Sequence, residues 1–154
     1  MKLSTREDIE APIDYVFAQV TDFAAFERRA LRQGADVRRR GDGPVAVDAA
    51  WDIAFDLRGK PRQLTATLTD YDPPNSLQIR GVSDGMDAVT EIDLIALSQS
   101  RTRVMVGVEL KARTLTARLL LQSMKLAKAR LTKRFKGRVL DFCEDVEDRY
   151  RQEG

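Results

Sequence analysis

Asp52 and Asp56 stand four residues apart, and Glu91 and Asp93 two apart. Paired carboxylates can hold a divalent cation, or divide acid and base roles between them. Both pairs fall on the polar side of alternating runs. A solvated face with cross-strand ion pairs is the simpler reading there, and Glu109 reads the same way. The chain has no histidine and one cysteine, Cys143. Ser-His-Asp and Cys-His nucleophile systems are therefore excluded, as is His-ligated zinc or haem. Acid–base chemistry would fall to Asp, Glu, Lys, Tyr or the lone cysteine. Cys143 reads as lying off the apolar stripe of its helix, and without a histidine or second thiol a nucleophilic role is not expected. The stretch "RRRGDGP" has two glycines but not the Gly-Lys-Ser/Thr of a phosphate loop, and reads as a hairpin turn. No metal and no cofactor is expected.

Charge is the next candidate. Residues 111–140 hold ten basic residues and no acidic one, whereas 141–154 hold six acidic and two basic. Lys125, Lys133 and Lys136, with Arg118 and Arg130, point away from the apolar stripe. They could contact an anionic membrane surface, RNA or an acidic partner. A solvated helix face balanced by acidic residues of the sheet is the simpler reading. The basic face carries no aromatic platform for base stacking, so no specific nucleic-acid partner is expected. The acidic end could instead pair with the basic face of a neighbouring subunit, and either a monomer or a homodimer fits.

The totals narrow the class. A length of 154 residues suits one domain, 1–154, able to bury its own core. Hydrophobic residues at 43% and charged residues at 32% exclude a disordered chain, and a net charge of +2 does not by itself call for a polyanion. One cysteine allows no intrachain disulfide, so a reducing cytoplasm is expected. The start, "MKLSTREDIEAP", lacks a signal peptide's apolar centre. No apolar run approaches the roughly 20 residues that span a bilayer.

Periodicity supplies the elements that must position these groups. Residues 2–10 alternate, with Leu3, Thr5, Glu7 and Ile9 on one side, and read as a strand. Pro12 suits a first helical position. Ile13, Val16, Phe17 and Val20 predict a short helix over 12–20. Asp22 is a good N-cap for a second helix carrying Phe23, Phe26 and Ala30, ended by Gly34. "ADVRRR" then opens a series of strands. In "AAWDIAFDLR", Trp51, Ile53, Phe55 and Leu57 share one face, opposite Asp52, Asp56 and Arg58. Leu64, Ala66 and Leu68 alternate in "RQLTATLTDYD", Leu77 and Ile79 in "SLQIRGVS", Ile92 and Leu94 in "DAVTEIDLIAL". Val104, Val106, Val108 and Leu110 follow in "RTRVMVGVELKA". Short turns between such runs predict an antiparallel meander. From about Thr116 to Tyr150, Leu120, Met124, Ala127, Leu131, Phe135, Phe142 and Val146 predict one long amphipathic helix, bent near Gly137.

The predicted fold is α+β: a curved antiparallel sheet of about seven strands around a long C-terminal helix, with two short helices after strand one. A sheet apolar on one face needs a cover, and one helix cannot fill the whole concavity. The two short helices would close one end. Their stretch, "IEAPIDYVFAQVTDFAAFERRA", resembles the N-terminal pattern of the START-like superfamily, also called SRPBCC. Pro12, Val16, Phe17, Asp22 and Phe23 carry the likeness. The pair "VTEIDLIAL…TRVMVGVEL" followed by a long helix is also similar. The resemblance implies a helix-grip fold, and a group that includes polyketide cyclases, pollen-allergen-type carriers and coenzyme Q-binding proteins. It implies a START-like domain that holds apolar or amphipathic molecules between sheet and helix.

On that reading the residues expected to line a cavity are Trp51, Phe55, Leu64, Leu68, Ile79, Ile92, Leu94 and Val106 on the sheet. Met124, Leu131 and Phe135 would face them from the helix, with Arg138 at the stripe's edge, able to meet an anionic or carbonyl head group. Small residues at Ala66, Gly81 and Ala127 would leave volume. An ordinary packed core remains the alternative. The clean alternations place no Asp, Glu, Lys or Tyr inward. That favours non-enzymatic binding of a lipid, quinone or polyketide-like molecule over a cyclase/aromatase-like enzyme. An interaction module using the basic helix is the third reading.

Overall fold

The computed structural model describes residues 1–57 and 59–153; Arg58, expected on the polar side of its strand, lies outside the described residues. The elements run β1 (Lys2–Ile9), α1 (Ile13–Val20), α2 (Phe23–Arg32), β2 (Asp36–Arg40), β3 (Ala50–Leu57), β4 (Lys60–Asp72), β5 (Ser76–Ser83), β6 (Met86–Ser98), β7 (Arg101–Ala112), α3 (Leu115–Leu126) and α4 (Lys128–Glu153). The strands form one antiparallel sheet in the order β1-β7-β6-β5-β4-β3-β2. This is the helix-grip architecture. β2 to β7 are a hairpin-linked meander. β1 lies at the far edge, so the chain must cross the sheet's width between β1 and β2. α1 and α2 are that crossing, which is why two short helices come so early.

Local chemistry sets their ends. Pro12 occupies the cap position before α1, with φ −65° and ψ 151°, one residue earlier than expected. The Asp22 side chain accepts from the Ala25 N–H at 3.2 Å and starts α2. Gly34, at φ +93°, follows the Gln33 cap and turns the chain towards β2.

Cross-strand partners share a face, so register defines the inner surface. One inward row reads Leu110, Ala88, Gly81, Ala66, Trp51, Arg39. Of its small residues, Ala66 lies beside the large indole and lines a hollow there. Another reads Thr5, Val106, Ile92, Leu77, Tyr71. Tyr71 joins it because the β4–β5 register shifts between Leu68 and Asp70. Strict alternation from Leu68 would have turned Asp70 inward instead.

The core gathers where α1 and the C-terminal half of α4 meet the sheet. Ile9, Val16, Leu68, Val104 and Val146 are fully buried there. Buried Thr102 donates its hydroxyl to the Ala11 carbonyl at 2.8 Å, satisfying both groups as the chain leaves β1.

Two expectations about the C-terminal region are corrected. The single helix is two, broken at Ala127, whose φ of −103° and ψ of 18° cap α3. Gly137 continues within α4, with open space where a Cβ would stand. The two helices are held by different parts of the sheet. Thr114 caps α3, accepting from the Ala117 N–H at 3.2 Å. It presses on the β5–β6 turn so closely that a Cβ on Gly85 would collide with it. The Arg113 N–H also donates to the Gly85 carbonyl at 2.6 Å. α4 packs along β1 instead, and the break lets each helix keep its own attachment. The second correction is Cys143, which is buried at 3% exposure rather than off the stripe. Near the C-terminus the inward face of α4 comprises Val139, Phe142, Cys143, Val146 and Tyr150. The spacing followed from Leu131 through Phe135 misses Cys143 because the apolar stripe drifts around the helix.

Candidate functional site

Phe26 of α2 meets Phe142 of α4 across the concave side, with ring centroids 5.6 Å apart and planes 30° apart. The Arg29 guanidinium lies over both rings, 5.5 Å from the Phe26 centroid and 5.9 Å from that of Phe142. On either side of this partition is a pocket. The first, ≈ 230 Å³, lies between α2 and strands β2 to β5. Phe23, Phe26, Glu27 and Ala30 of α2 face Val37, Trp51, Ile53, Ala66 and Ile79 across it. The second, ≈ 280 Å³, lies towards α4. Val20, Phe26 and Arg29 meet Ile92, Val104 and Val106 of the sheet and Phe135, Arg138, Val139 and Phe142 of α4.

Trp51 is held on two sides. Its indole N–H donates to Glu27 Oε1 at 2.8 Å, and Phe23 lies against its ring at 4.9 Å. The first pocket therefore has an apolar wall with one carboxylate fixed at its margin. The second has two arginines among aromatic and branched aliphatic groups. Such an interior suits a planar or flexible apolar body with a polar end.

The expected lining residues separate into groups. Trp51 and Ile79 line the first pocket. Ile92, Val106, Phe135 and Arg138 line the second. Leu68 and Leu94 are buried in the core and line neither. Phe55 and Leu64 sit half-buried further along the inner face, outside both pockets. Leu64 covers Gly81, where a Cβ would come within 3.1 Å of Leu64 Cδ1, so that glycine's space is already filled. Met124 and Leu131, half-buried on either side of the helix break, also lie outside the pockets. Met124 is separated from Phe135 by the break, whereas Leu131 shares α4 with it.

Sequence reasoning missed most of the contribution of α2, having read Phe23 and Phe26 as an end plug. The available signal was Glu27, four residues after Phe23 and on the same stripe. A carboxylate on a packed helix face needs a donor, and the indole N–H supplies it. Ala66, expected to leave volume, lines the first pocket, whereas Val37, Ile53, Val104 and Val139 were ordinary alternating or stripe residues with nothing to mark them.

The expectation of no inward Asp, Glu, Lys or Tyr on the strands is corrected by Tyr71 and Glu7. Tyr71 faces inward because of the bulge, its ring 5.7 Å from that of Phe17. Glu7 faces inward opposite Val104, and Arg39 and Arg62 face inward opposite Trp51 and Phe55. The Nε atoms of both arginines are buried with no hydrogen-bond partner among the described residues.

The outer carboxylates behave differently. Asp52 accepts from Arg40 Nε at 2.8 Å and Nη2 at 2.7 Å, and this hydrogen bonding holds its carboxyl below the ordinary value. Asp8 is held low in the same way, chiefly by Arg103. Glu91 accepts from Gln78 Nε2 at 3.0 Å. Among the described residues, no three His, Cys, Asp or Glu side chains cluster as a metal site. The Cys143 thiol is pushed up to about 12, first by burial and then by Glu7, Glu147 and Glu144, which keeps it a thiol at neutral pH. Among the described residues no helix is long and apolar enough to cross a membrane.

Known structures share this architecture. An aromatase/cyclase from Streptomyces superposes with a TM-score of 0.71 at 15% identity, over 100% of this chain and 98% of that one. A protein from Thermus thermophilus gives 0.69 at 13% identity, over 95% and 97%. An HSP90 activator from Plasmodium falciparum gives 0.50 at 13% identity, over 71% and 72%. At such identities these likenesses establish the fold alone. No curated protein matches the chain in sequence. The sequence profile of one family, described as polyketide cyclase/dehydrase and lipid transport, matches residues 1–141. With the fold and the divided apolar interior, that match establishes that the chain belongs to the polyketide cyclase/dehydrase and lipid transport family.

Proposed function

We propose that this protein is a non-enzymatic carrier, in a reducing compartment such as the cytoplasm, for a hydrophobic or amphipathic small molecule of lipid, quinone or polyketide-like character. The observation that carries the reading is the pair of apolar pockets sharing Phe26 as a wall. Each is smaller than the roughly 300–1,000 Å³ of most ligand pockets, but the two would reach that range if joined. A ligand that displaces the Phe26 ring from Phe142 would occupy both. Apolar burial at about 25 cal/mol per Å² supplies the affinity. Arg138, with Arg29, orients a carbonyl or anionic head group. Family membership supports a ligand of this class. The test is mass spectrometry of the natively purified protein, followed by thermal denaturation with the recovered compound. The compound should raise Tm in wild type and fail to do so in Ala66→Leu with Val139→Phe, which fill the pockets. Absence of any bound apolar compound, together with no Tm shift across a broad apolar library, would remove the reading.

A second reading, a cyclase/aromatase-like enzyme, is favoured by Glu27. Its carboxylate stands at a pocket wall, oriented by Trp51, where it could take a proton from a bound chain. Turnover of a polyketide-like substrate by wild type, lost in Glu27→Gln with binding retained, would select this reading over the carrier.

A further inference from the structure

The outer side of α3 has no partner in the fold. Leu115, Leu119 and Leu126 are exposed at 72%, 59% and 92%. At 100° per residue they lie within about 40° of one another, opposite the face that buries Ala117 and Leu121. Arg118 and Lys125, one above the other seven residues apart, border this stripe along one side. Beyond Ala127, Lys128, Arg130, Lys133, Arg134 and Lys136 are all exposed. Of the ten basic residues in 111–140, only Lys111 and Arg113 pair with a carboxylate among the described residues. Lys125, Lys133 and Lys136, with Arg118 and Arg130, therefore make no direct ion pair with the sheet among the described residues.

We propose that the α3–α4 elbow docks on an anionic lipid surface. Leu115, Leu119 and Leu126 enter the boundary between head groups and acyl chains, and Arg118 and Lys125 lie at head-group level. The α4 cations add to the attraction. Three observations choose this occupant. The stripe is apolar and bordered along one side by Arg118 and Lys125, as in a helix lying in a membrane interface. A second copy is disfavoured, because two-fold pairing of α3 would set Arg118 and Lys125 against the same residues, and α3 itself carries no acidic side chain. A polyphosphate has no use for three aligned leucines. The docked elbow leads directly into α4, whose Phe135 and Arg138 line the second pocket. The proposal holds whether or not that pocket carries a ligand.

The test is flotation of the full chain with vesicles of phosphatidylcholine alone and of phosphatidylcholine mixed with phosphatidylglycerol. Wild type should float with the mixed vesicles only, and less so as salt is raised. Leu119→Gln with Leu126→Gln should reduce partitioning on the order of tenfold. Arg118→Gln with Lys125→Gln should do the same and weaken the salt dependence. All these side chains are exposed, so an unchanged Tm in both variants confirms an intact fold. Failure of wild type to float, or flotation of both variants at wild-type levels, overturns the proposal. Conversion of a dimer into a monomer by the leucine changes, read by sedimentation velocity, also overturns it and assigns the face to a second copy.

Discussion

The two ends of the helical layer differ sharply. Where α1 and the C-terminal half of α4 meet β1 and β7, the packing is closed: Val16, Val104 and Val146 are fully buried and Thr102 satisfies the Ala11 carbonyl. Where α3 joins α4, apolar side chains point outward and cations stand without carboxylate partners among the described residues. The pockets lie between these regions, divided by Phe26 and Phe142. The contrast separates two kinds of apolar surface. One holds the fold together, and the other is left over by it and is available for binding.

The largest effect that tests this contrast comes from placing the same charge at each end. Val146→Asp puts an unpaired carboxylate in the core and should cost about 3–5 kcal/mol or abolish folding. Leu126→Asp should change stability by within about 0.5 kcal/mol. Urea unfolding of both variants measures the difference, and similar losses at the two sites would erase the distinction.

Phe26→Ala acts between the ends. It removes the ring that both pockets share and should destabilise by about 2–4 kcal/mol. It should also shift the preference for apolar ligands towards larger ones. A series of ligands of increasing length, read by thermal shift in wild type and variant, checks the second effect separately from the first.

Cys143 probes the closed end by titration. Its thiol is raised from 9.0 to about 12 in the folded state, chiefly by burial. A raised value means the folded state favours the neutral thiol more than the unfolded chain does. That stabilisation is complete below pH 9 and is lost as pH rises from 9 towards 12. Cys143→Ala should flatten this alkaline decline in Tm. The wild-type thiol should react with a neutral alkylating agent at neutral pH only after denaturation.

The smallest effect belongs to the outer face. Arg40 depresses Asp52, so the pair's contribution is present above the ordinary carboxylate value of 3.8 and disappears as pH falls through the lower folded value. Both groups are exposed. Arg40→Gln should therefore have little effect on Tm at neutral pH and slightly flatten the acid limb of a Tm–pH curve.

Much of this arrangement was legible in the residues. The alternations around Trp51, Ile79, Ile92 and Val106 assigned their inward faces, because a strand's period of two leaves little ambiguity when one face is buried. Asp22 and Gly34 marked the ends of α2. Tyr71 was not legible, because a bulge is a property of two paired strands. The break at Ala127 was not legible either. Alanine favours helix, and the interruption arises from the different attachments of α3 and α4. Gly137 lies inside α4 without interrupting it, since one glycine need not break a helix held by tertiary packing.

By itself the sequence determined the α+β class, the order of the elements, the polar and apolar faces of most strands, and the uneven charge of the C-terminal region. These are local properties, set by side-chain period and capping chemistry. The tertiary structure alone decided that Phe26 and Phe142 divide the interior and that Glu27 meets Trp51. It alone turned Tyr71 inward and left the leucines of α3 uncovered. Each depends on where residues distant in sequence come to rest, and that follows from the register of seven paired strands and the angle at which four helices cross them.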